Sequence, residues 1–181
     1  MRNPPADTLR HEPAELWLRR LMINHNEGRA RFPLAMGLPE EEYRRLARRL
    51  LPGLRPRPEL LRRQDQLLSA LQRPRRQERE ALAQWLRQYL IADGAPLHLP
   101  IAAAAMGFNH LWQDLGLASR GELRQLMGAC FPALIAMNAQ NMRWKKFFYR
   151  QLCLAQTGEI NCRSPSCDSC CEREICFTAD D

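Results

Sequence analysis

Five of the chain's seven cysteines lie in one fifteen-residue segment, CRSPSCDSCCEREIC. A C-x4-C-x2-C-x5-C motif is formed there by Cys162, Cys167, Cys170 and Cys176. Cys171 directly follows the third motif cysteine. Four thiolates on one short segment can surround a tetrahedral zinc ion or an iron–sulfur cluster. We therefore predict that this segment binds metal.

The spacing favours an iron–sulfur cluster but leaves zinc and other thiol chemistry open. Structural zinc sites usually combine two C-x2-C pairs separated by a dozen or more residues. Here one C-x2-C pair and two more widely spaced cysteines lie within fifteen residues. This arrangement suits a cluster of several metal atoms better than a single ion. The spacing matches neither the bacterial nor the plant ferredoxin pattern. Internal disulfides cannot use up an odd number of cysteines, and cytosolic thiols stay reduced.

A basic stripe precedes the cysteines in the segment NMRWKKFFYRQLC, which contains both lysines of the chain. On a helix, Arg143, Lys146 and Arg150 fall on one side, opposite an apolar face. We hypothesise that these three cations draw an anion toward the acidic C-terminal segment that contains the cysteines. The alternative is an ordinary basic helix face in contact with solvent. Cys153 lies beside the stripe, where neighbouring cations favour the thiolate. It is a candidate additional ligand or transfer thiol, as is Cys171.

His110 and Asp114 lie one turn apart if residues 101–116 form a single helix, and both then fall opposite its apolar face. One interpretation is an ordinary surface pair. The other is a metal-binding or proton-handling imidazole that the carboxylate holds in one tautomer. Cys130 is predicted to be buried among apolar residues rather than to bind metal.

The elements that must position these residues are predicted to be helices. Apolar residues recur at helical spacing in 14–25, 39–51, 59–71, 77–92, 100–116, 120–128 and 132–156. Valine is absent, which disfavours strands, and Ser119 with Glu122 forms a capping box. After residue 156 the apolar residues are too few to form a core, so the order of the tail must depend on what its cysteines bind.

We therefore predict an all-α multi-helix bundle with an irregular, cysteine-rich, cluster-binding tail. The predicted regions are an N-terminal helical region over 1–55, a helical core over 56–156 and the tail over 157–181. A segment rich in Pro and Arg, PGLRPRPELLRRQ, is interpreted as the linker between the first two regions.

The net charge of +7 comes from the first hundred residues, which carry 19 arginines and 12 acidic residues. These arginines alternate with glutamates and leucines, which is typical of a solvated helix face, so we do not expect nucleic acid as a partner. The chain has no apolar run of membrane-spanning length, and its first residues lack the apolar centre of a signal peptide. We expect a cytoplasmic location and no membrane association.

The residues of the C-terminal half resemble the NifQ family. The resemblance rests on FNHLWQDLGLASRGELRQLM, then FPAL, then NMRWKKFFYRQLC, then the cysteine motif with its final CF. It covers residues 101–177, whereas the first hundred residues are similar only in segments such as MGLPEEEYRRLARRLLPG. The family is associated with nitrogen fixation and supplies molybdenum during assembly of the nitrogenase iron–molybdenum cofactor.

The resemblance implies that the four motif cysteines hold an iron–sulfur cluster that takes up molybdenum. It implies two partners, the scaffold complex that builds the nitrogenase cofactor and the nitrogenase iron protein. Since no catalytic constellation is evident, we expect a carrier rather than an enzyme. Two alternatives remain: a small iron–sulfur electron-transfer protein, and a zinc-dependent nucleic-acid-binding protein that uses the arginine-rich half.

Overall fold

The structure, a computed structural model, describes residues 13–53, 55, 57–92, 95–158 and 174. The cysteines of the motif and Cys171 lie outside these residues. The helices are α1 (Pro13–Asn26), α2 (Glu40–Leu50), α3 (Glu59–Gln72), α4 (Arg76–Arg87), α5 (His98–Ala105), α6 (Leu111–Asp114), α7 (Arg120–Cys130), α8 (Pro132–Met137) and α9 (Trp144–Thr157). Short 3-10 turns span Leu34–Gly37 and Arg73–Arg75.

The predicted all-α class is confirmed for the described residues, which contain no strand. None of the helices there is long and apolar enough to cross a bilayer. The predicted capping box is present, because Ser119 Oγ accepts a hydrogen bond from the Glu122 N–H at 3.2 Å. In return the Glu122 carboxylate accepts from the Ala118 N–H at 2.6 Å.

Two predicted helices are each broken by a turn. The one expected over 100–116 is α5 and α6, and Phe108 is 77% exposed in the turn between them. The one expected over 132–156 is α8 and α9. There, the buried Asn138 side chain closes a loop by donating to Met142 O and accepting from Met142 N, at 2.8 and 2.9 Å. The Asn138 side chain thus takes the place of the backbone partners that a continuous helix would supply, a role that asparagine often has in turns.

The core is built around α5, whose residues from Pro100 to Ala105 are all buried. Its run of four alanines lets neighbouring elements approach closely, and α4, α6 and the first 3-10 turn pack against it. The same apolar cluster continues from Ala14 in α1 to Leu152 in α9. Cys130 is fully buried in this cluster, as predicted.

Helix α9 is attached to α4 by aromatic packing and by one arginine. Phe148 is fully buried, with its ring centroid 6.2 Å from that of Trp85. The Arg75 guanidinium donates to the Tyr149 hydroxyl, to Met106 O at 3.1 Å and to both carboxylate oxygens of Glu78 at 2.8 Å. The position of the first half of α9 is therefore set by the core.

A buried charged triad joins the first helices. Asp65 of α3 accepts two hydrogen bonds from Arg57, at 2.7 and 2.8 Å, and one from His25 Nε2 of α1 at 3.1 Å. His25 Nδ1 is buried and has no hydrogen-bond partner among the residues that the structure describes, so protonation would bury an unpaired N–H. Burial accordingly lowers the pKa of His25, although Asp65 raises it in part. Arg57 lies in the expected linker and is only 10% exposed, so this side chain is docked on the core.

We predict that Asp65→Asn lowers the free energy of unfolding by about 3–5 kcal/mol, because Arg57 then keeps a buried charge without a carboxylate. Urea denaturation followed by circular dichroism measures the change. In the matched control, Asp65→Leu with Arg57→Met removes both charges and should be much less destabilising. A loss below about 1 kcal/mol for Asp65→Asn, the range of exposed ion pairs, would contradict this account.

Candidate anion-binding site

A pocket of about 260 Å³ lies where the start of α9 meets the turn before α6 and the start of α7. Residues from these three elements line it: Asn109, His110, Leu111, Trp112, Arg120, Leu123, Arg143, Trp144, Lys145 and Lys146. The volume is several times the roughly 30 Å³ that one water molecule occupies in the liquid. A small anion with some of its hydration water would therefore fit.

The pocket is strongly cationic. Arg120, Arg143, Lys145 and Lys146 contribute positive charge, and no acidic side chain is among the described residues that line it. Arg143 is the N-cap of α9, and the two lysines lie in its first turn, which contains no acidic residue. The amino end of a helix carries partial positive charge, so cations there are unfavourable for the helix. The pocket therefore has the sign of charge that an anionic ligand requires.

Lys145 is held in place by a buried ion pair. Its Nζ donates to Asp114 Oδ2 at 2.7 Å and to Gly107 O at 2.9 Å. Asp114 is 1% exposed and also accepts from Asn109 N at 3.2 Å and Asn109 Nδ2 at 2.9 Å. Burial lowers the pKa of Lys145, while its hydrogen bond to the Asp114 carboxylate raises it. The pair ties the turn before α6 to the start of α9.

The close approach of this turn requires glycine at position 107. A Cβ atom there would lie 2.4 Å from Asp114 Oδ2, well inside any allowed contact. The carboxylate therefore occupies the space that a side chain would fill, which explains why the chain turns here instead of continuing α5.

The pocket also offers a hydrogen-bond donor on an aromatic ring. Trp112 Nε1 is buried and has no acceptor among the described residues. A buried donor without a partner costs about 1–3 kcal/mol. An anion in the pocket could accept from such a group as well as from the cations.

The structure brings some of the predicted site residues together. Arg143, Lys146 and His110 all line the pocket, whereas Arg150 does not. Arg150 and Cys153 are half-buried further along α9. Because Lys146, Arg150 and Cys153 are spaced by four and three residues, they follow one side of the helix.

The expected arrangement of His110 and Asp114 is wrong. They do not share the exposed face of one helix: His110 is the N-cap of α6, and its backbone N–H donates to Gln113 Oε1 at 3.1 Å. Asp114 is buried against Lys145. The reason is that a turn at Gly107 separates α5 from α6. A helical wheel drawn for one continuous helix therefore does not describe where His110 and Asp114 lie.

Sequence reasoning missed Lys145 and Arg120 as members of the site. Lys145 falls off the predicted stripe, and only the buried Asp114 on another element fixes it. The signal that could have been used is the pair Gly107 and Asn109, because glycine and asparagine close together are typical of a turn and argue against one continuous helix. Among the described residues, no group of three His, Cys, Asp or Glu is suited to a metal ion.

We predict that Lys145→Met lowers the free energy of unfolding by about 3 kcal/mol, because it leaves the Asp114 carboxylate buried without its cation. Denaturant unfolding followed by tryptophan fluorescence reports the change near Trp112 and Trp144. Adding Asp114→Asn to this variant should restore part of the stability. If the two substitutions were simply additive, the ion pair would not couple the turn to α9.

Comparison with known proteins places this chain in a family. The family model NifQ matches residues 17–178. The chain is 50% identical over 161 residues to Protein NifQ of Klebsiella pneumoniae, an alignment that covers 89% of this chain and 96% of that protein.

A second relative is Protein NifQ of Azotobacter vinelandii, 38% identical over 193 residues, covering 99% of this chain and 96% of that protein. Protein NifQ of Rhodobacter capsulatus is 38% identical over 151 residues, covering 80% of this chain and 77% of that protein. No solved structure matches the chain. The family match spans nearly the whole chain, and three relatives exceed the identity at which a shared family is secure. The chain belongs to the NifQ family, a family of nitrogen-fixation proteins.

Proposed function

We propose that this chain is a molybdenum carrier that supplies the metal for assembly of the nitrogenase iron–molybdenum cofactor. The observation that carries the proposal is the concentration of basic side chains around one pocket, at the start of the helix that leads into the cysteine segment. Three of them add to the ion-paired Lys145: Arg120, Arg143 and Lys146. Molybdate is the cargo in this account, and the chain acts as a donor rather than as a turnover enzyme.

The two parts of the chain suit two chemical forms of molybdenum. Molybdate is a tetrahedral oxyanion, and guanidinium and ammonium groups bind such anions through charge-assisted hydrogen bonds. Thiolates are soft ligands that prefer reduced, sulfur-bound metal. We assign oxyanion docking to Arg143, Lys146 and their neighbours, and cluster binding to the cysteines of the motif.

The fit of an iron–sulfur cluster rests on the donor set. Cys162, Cys167, Cys170 and Cys176 provide the four thiolates that such clusters use. When bound, the cluster would supply sulfur ligands for molybdenum. Cys153, Cys171 and His110 remain proposed additional ligands.

Helix α9 connects the pocket to the cysteine segment. Lys146 lies near its start, and α9 ends at Thr157, with the Gly158 N–H bonded to Leu154 O at 3.0 Å. At a rise of 1.5 Å per residue, the path from Lys146 to Gly158 is about 18 Å long. The side of the helix that contains Arg150 and Cys153 runs along this path, which supports a transfer role for both.

The two alternative functions account for less of the structure. An iron–sulfur electron carrier needs no cationic pocket. A nucleic-acid-binding surface needs arginines available to phosphate, but several exposed arginines of the first half form ion pairs with glutamates on their own helices. Arg44 contacts Glu40 and Glu41, and Arg76 contacts Glu80 at 2.7 Å. We propose a cytoplasmic location and, as partners, the cofactor scaffold complex and the nitrogenase iron protein.

We predict that Arg143→Gln with Lys146→Gln weakens molybdate binding at least tenfold, since each lost charged hydrogen bond costs about 1.5–3 kcal/mol. Equilibrium dialysis at several salt concentrations measures the affinity. Arg45→Gln with Arg48→Gln is the matched control: it removes the same charge from the exposed side of α2 and should leave the affinity within about twofold at moderate salt, where distant charges are screened.

In the same experiment, Cys167→Ala with Cys176→Ala should abolish bound iron while the folded chain still binds molybdate in the pocket. Unchanged molybdate affinity in the Arg143 and Lys146 variant, with normal iron content, would refute the assignment of the pocket. Retention of iron by the cysteine variant would refute the assignment of the cluster.

A further inference from the structure

A second, larger cleft lies on another part of the fold. It has a volume of about 570 Å³ and is bounded by the 3-10 turn Leu34–Gly37, the carboxyl end of α3, the start of α4 and Leu99 of α5. It shares no lining residue with the cationic pocket described above. Nothing in the molybdenum account uses it.

The floor of this cleft contains a buried amide with unsatisfied polar atoms. Gln72 lines the cleft and is 3% exposed, yet neither its Oε1 nor its Nε2 has a hydrogen-bond partner in the part of the chain that the structure describes. Buried side-chain amides are normally satisfied, and each exception calls for an explanation. An amide can donate and accept at once, so the complementary ligand group is a hydroxyl or another amide.

The rim of the cleft is cationic. Arg73, Arg76 and Arg79 line it together with a single acidic residue, Glu80. Glu80 is engaged by Arg76 at 2.7 Å, whereas Arg73 and Arg79 form no ion pair with any described residue. Arg73 and Arg79 therefore give the cleft positive charge that no close ion pair offsets, although Arg79 also acts electrostatically on Glu80. This charge favours a ligand with an anionic group.

One wall of the cleft has a strained and tightly fixed backbone. Ala35 and Met36 both have φ of 56°, in the left-handed region that residues with side chains avoid. The turn is held because Leu34 N donates to Ser69 Oγ at 2.8 Å. It is held further by packing on α5, where a Cβ at Gly37 would lie 2.7 Å from Ala103 Cβ. Such strain persists only where the surroundings enforce it, and it is common at ligand sites.

We infer that this cleft binds a small organic anion that carries both a carboxylate or phosphate group and a hydroxyl group. Arg79 and Arg73 bind the anionic group, and the Gln72 amide binds the hydroxyl. The apolar side chains of Leu38, Ala83 and Leu99 contact the carbon skeleton. This site is separate from the molybdate pocket and does not depend on that proposal.

The test uses isothermal titration of the full chain with two pairs of probes. L-malate is compared with succinate, which lacks the hydroxyl, and glycerol 3-phosphate is compared with inorganic phosphate. We expect the hydroxylated member of at least one pair to bind at least tenfold more tightly than its partner. A preference for L-malate over succinate would indicate a carboxylate ligand. A preference for glycerol 3-phosphate over inorganic phosphate would indicate a phosphate ligand.

Two variants locate the binding. Arg79→Gln should weaken binding of the preferred probe at least tenfold, and Gln72→Met should remove the preference for the hydroxyl. Arg48→Gln on α2 is the control and should change neither. Molybdate affinity should be unchanged in all three variants, which separates this test from that of the proposed function.

The inference is overturned if none of the four probes binds, or if binding is insensitive to both Arg79→Gln and Gln72→Met. It is also overturned if Gln72→Met raises the melting temperature while probe affinity stays as in the natural chain. In that case the amide would be only a buried polar group and not part of a ligand site.

Discussion

The ion pair between Lys145 and Asp114 is the interaction on which the arrangement of the site depends. It joins the turn that ends α5 to the first turn of α9, and both of its charged groups are largely removed from water. A buried carboxylate is stable only with a cation close by, and a lysine at the positive end of a helix is stable only with an anion close by. Each group thus offsets the cost of the other, and Arg143 and Lys146 are positioned as a consequence.

This constraint explains how a small helical protein can concentrate positive charge without losing its fold. The cations at the start of α9 lie on a helix whose apolar side is locked onto α4 by Phe148 and Trp85. Packing holds the helix while its amino end keeps an unfavourable charge. The division between a rigid cationic pocket and a thiolate-rich segment matches the proposed passage of molybdenum from an oxyanion to a sulfur-bound form.

Much of the fold could be predicted from the sequence, because helical periodicity, prolines at helix starts and the Ser119–Glu122 capping box are local signals. The interruptions of two helices could not be predicted, since they depend on contacts that form only in the folded chain. Asn138 closes its loop on Met142, and Asp114 fills the space left by Gly107. A helical wheel places Lys146 on the basic stripe but cannot detect that Lys145 meets a buried acid. The His25–Asp65–Arg57 triad likewise has no sequence spacing that would reveal it. The cysteine segment was predicted from spacing alone, and it lies outside the described residues.

The most direct test of the central claim is elemental analysis of the natural chain, purified without oxygen from cells supplied with molybdate. Iron, acid-labile sulfide, molybdenum and zinc are measured per chain in the same sample. The account predicts iron, sulfide and molybdenum together, with little zinc. Iron and sulfide without molybdenum, or zinc without sulfide, would contradict it.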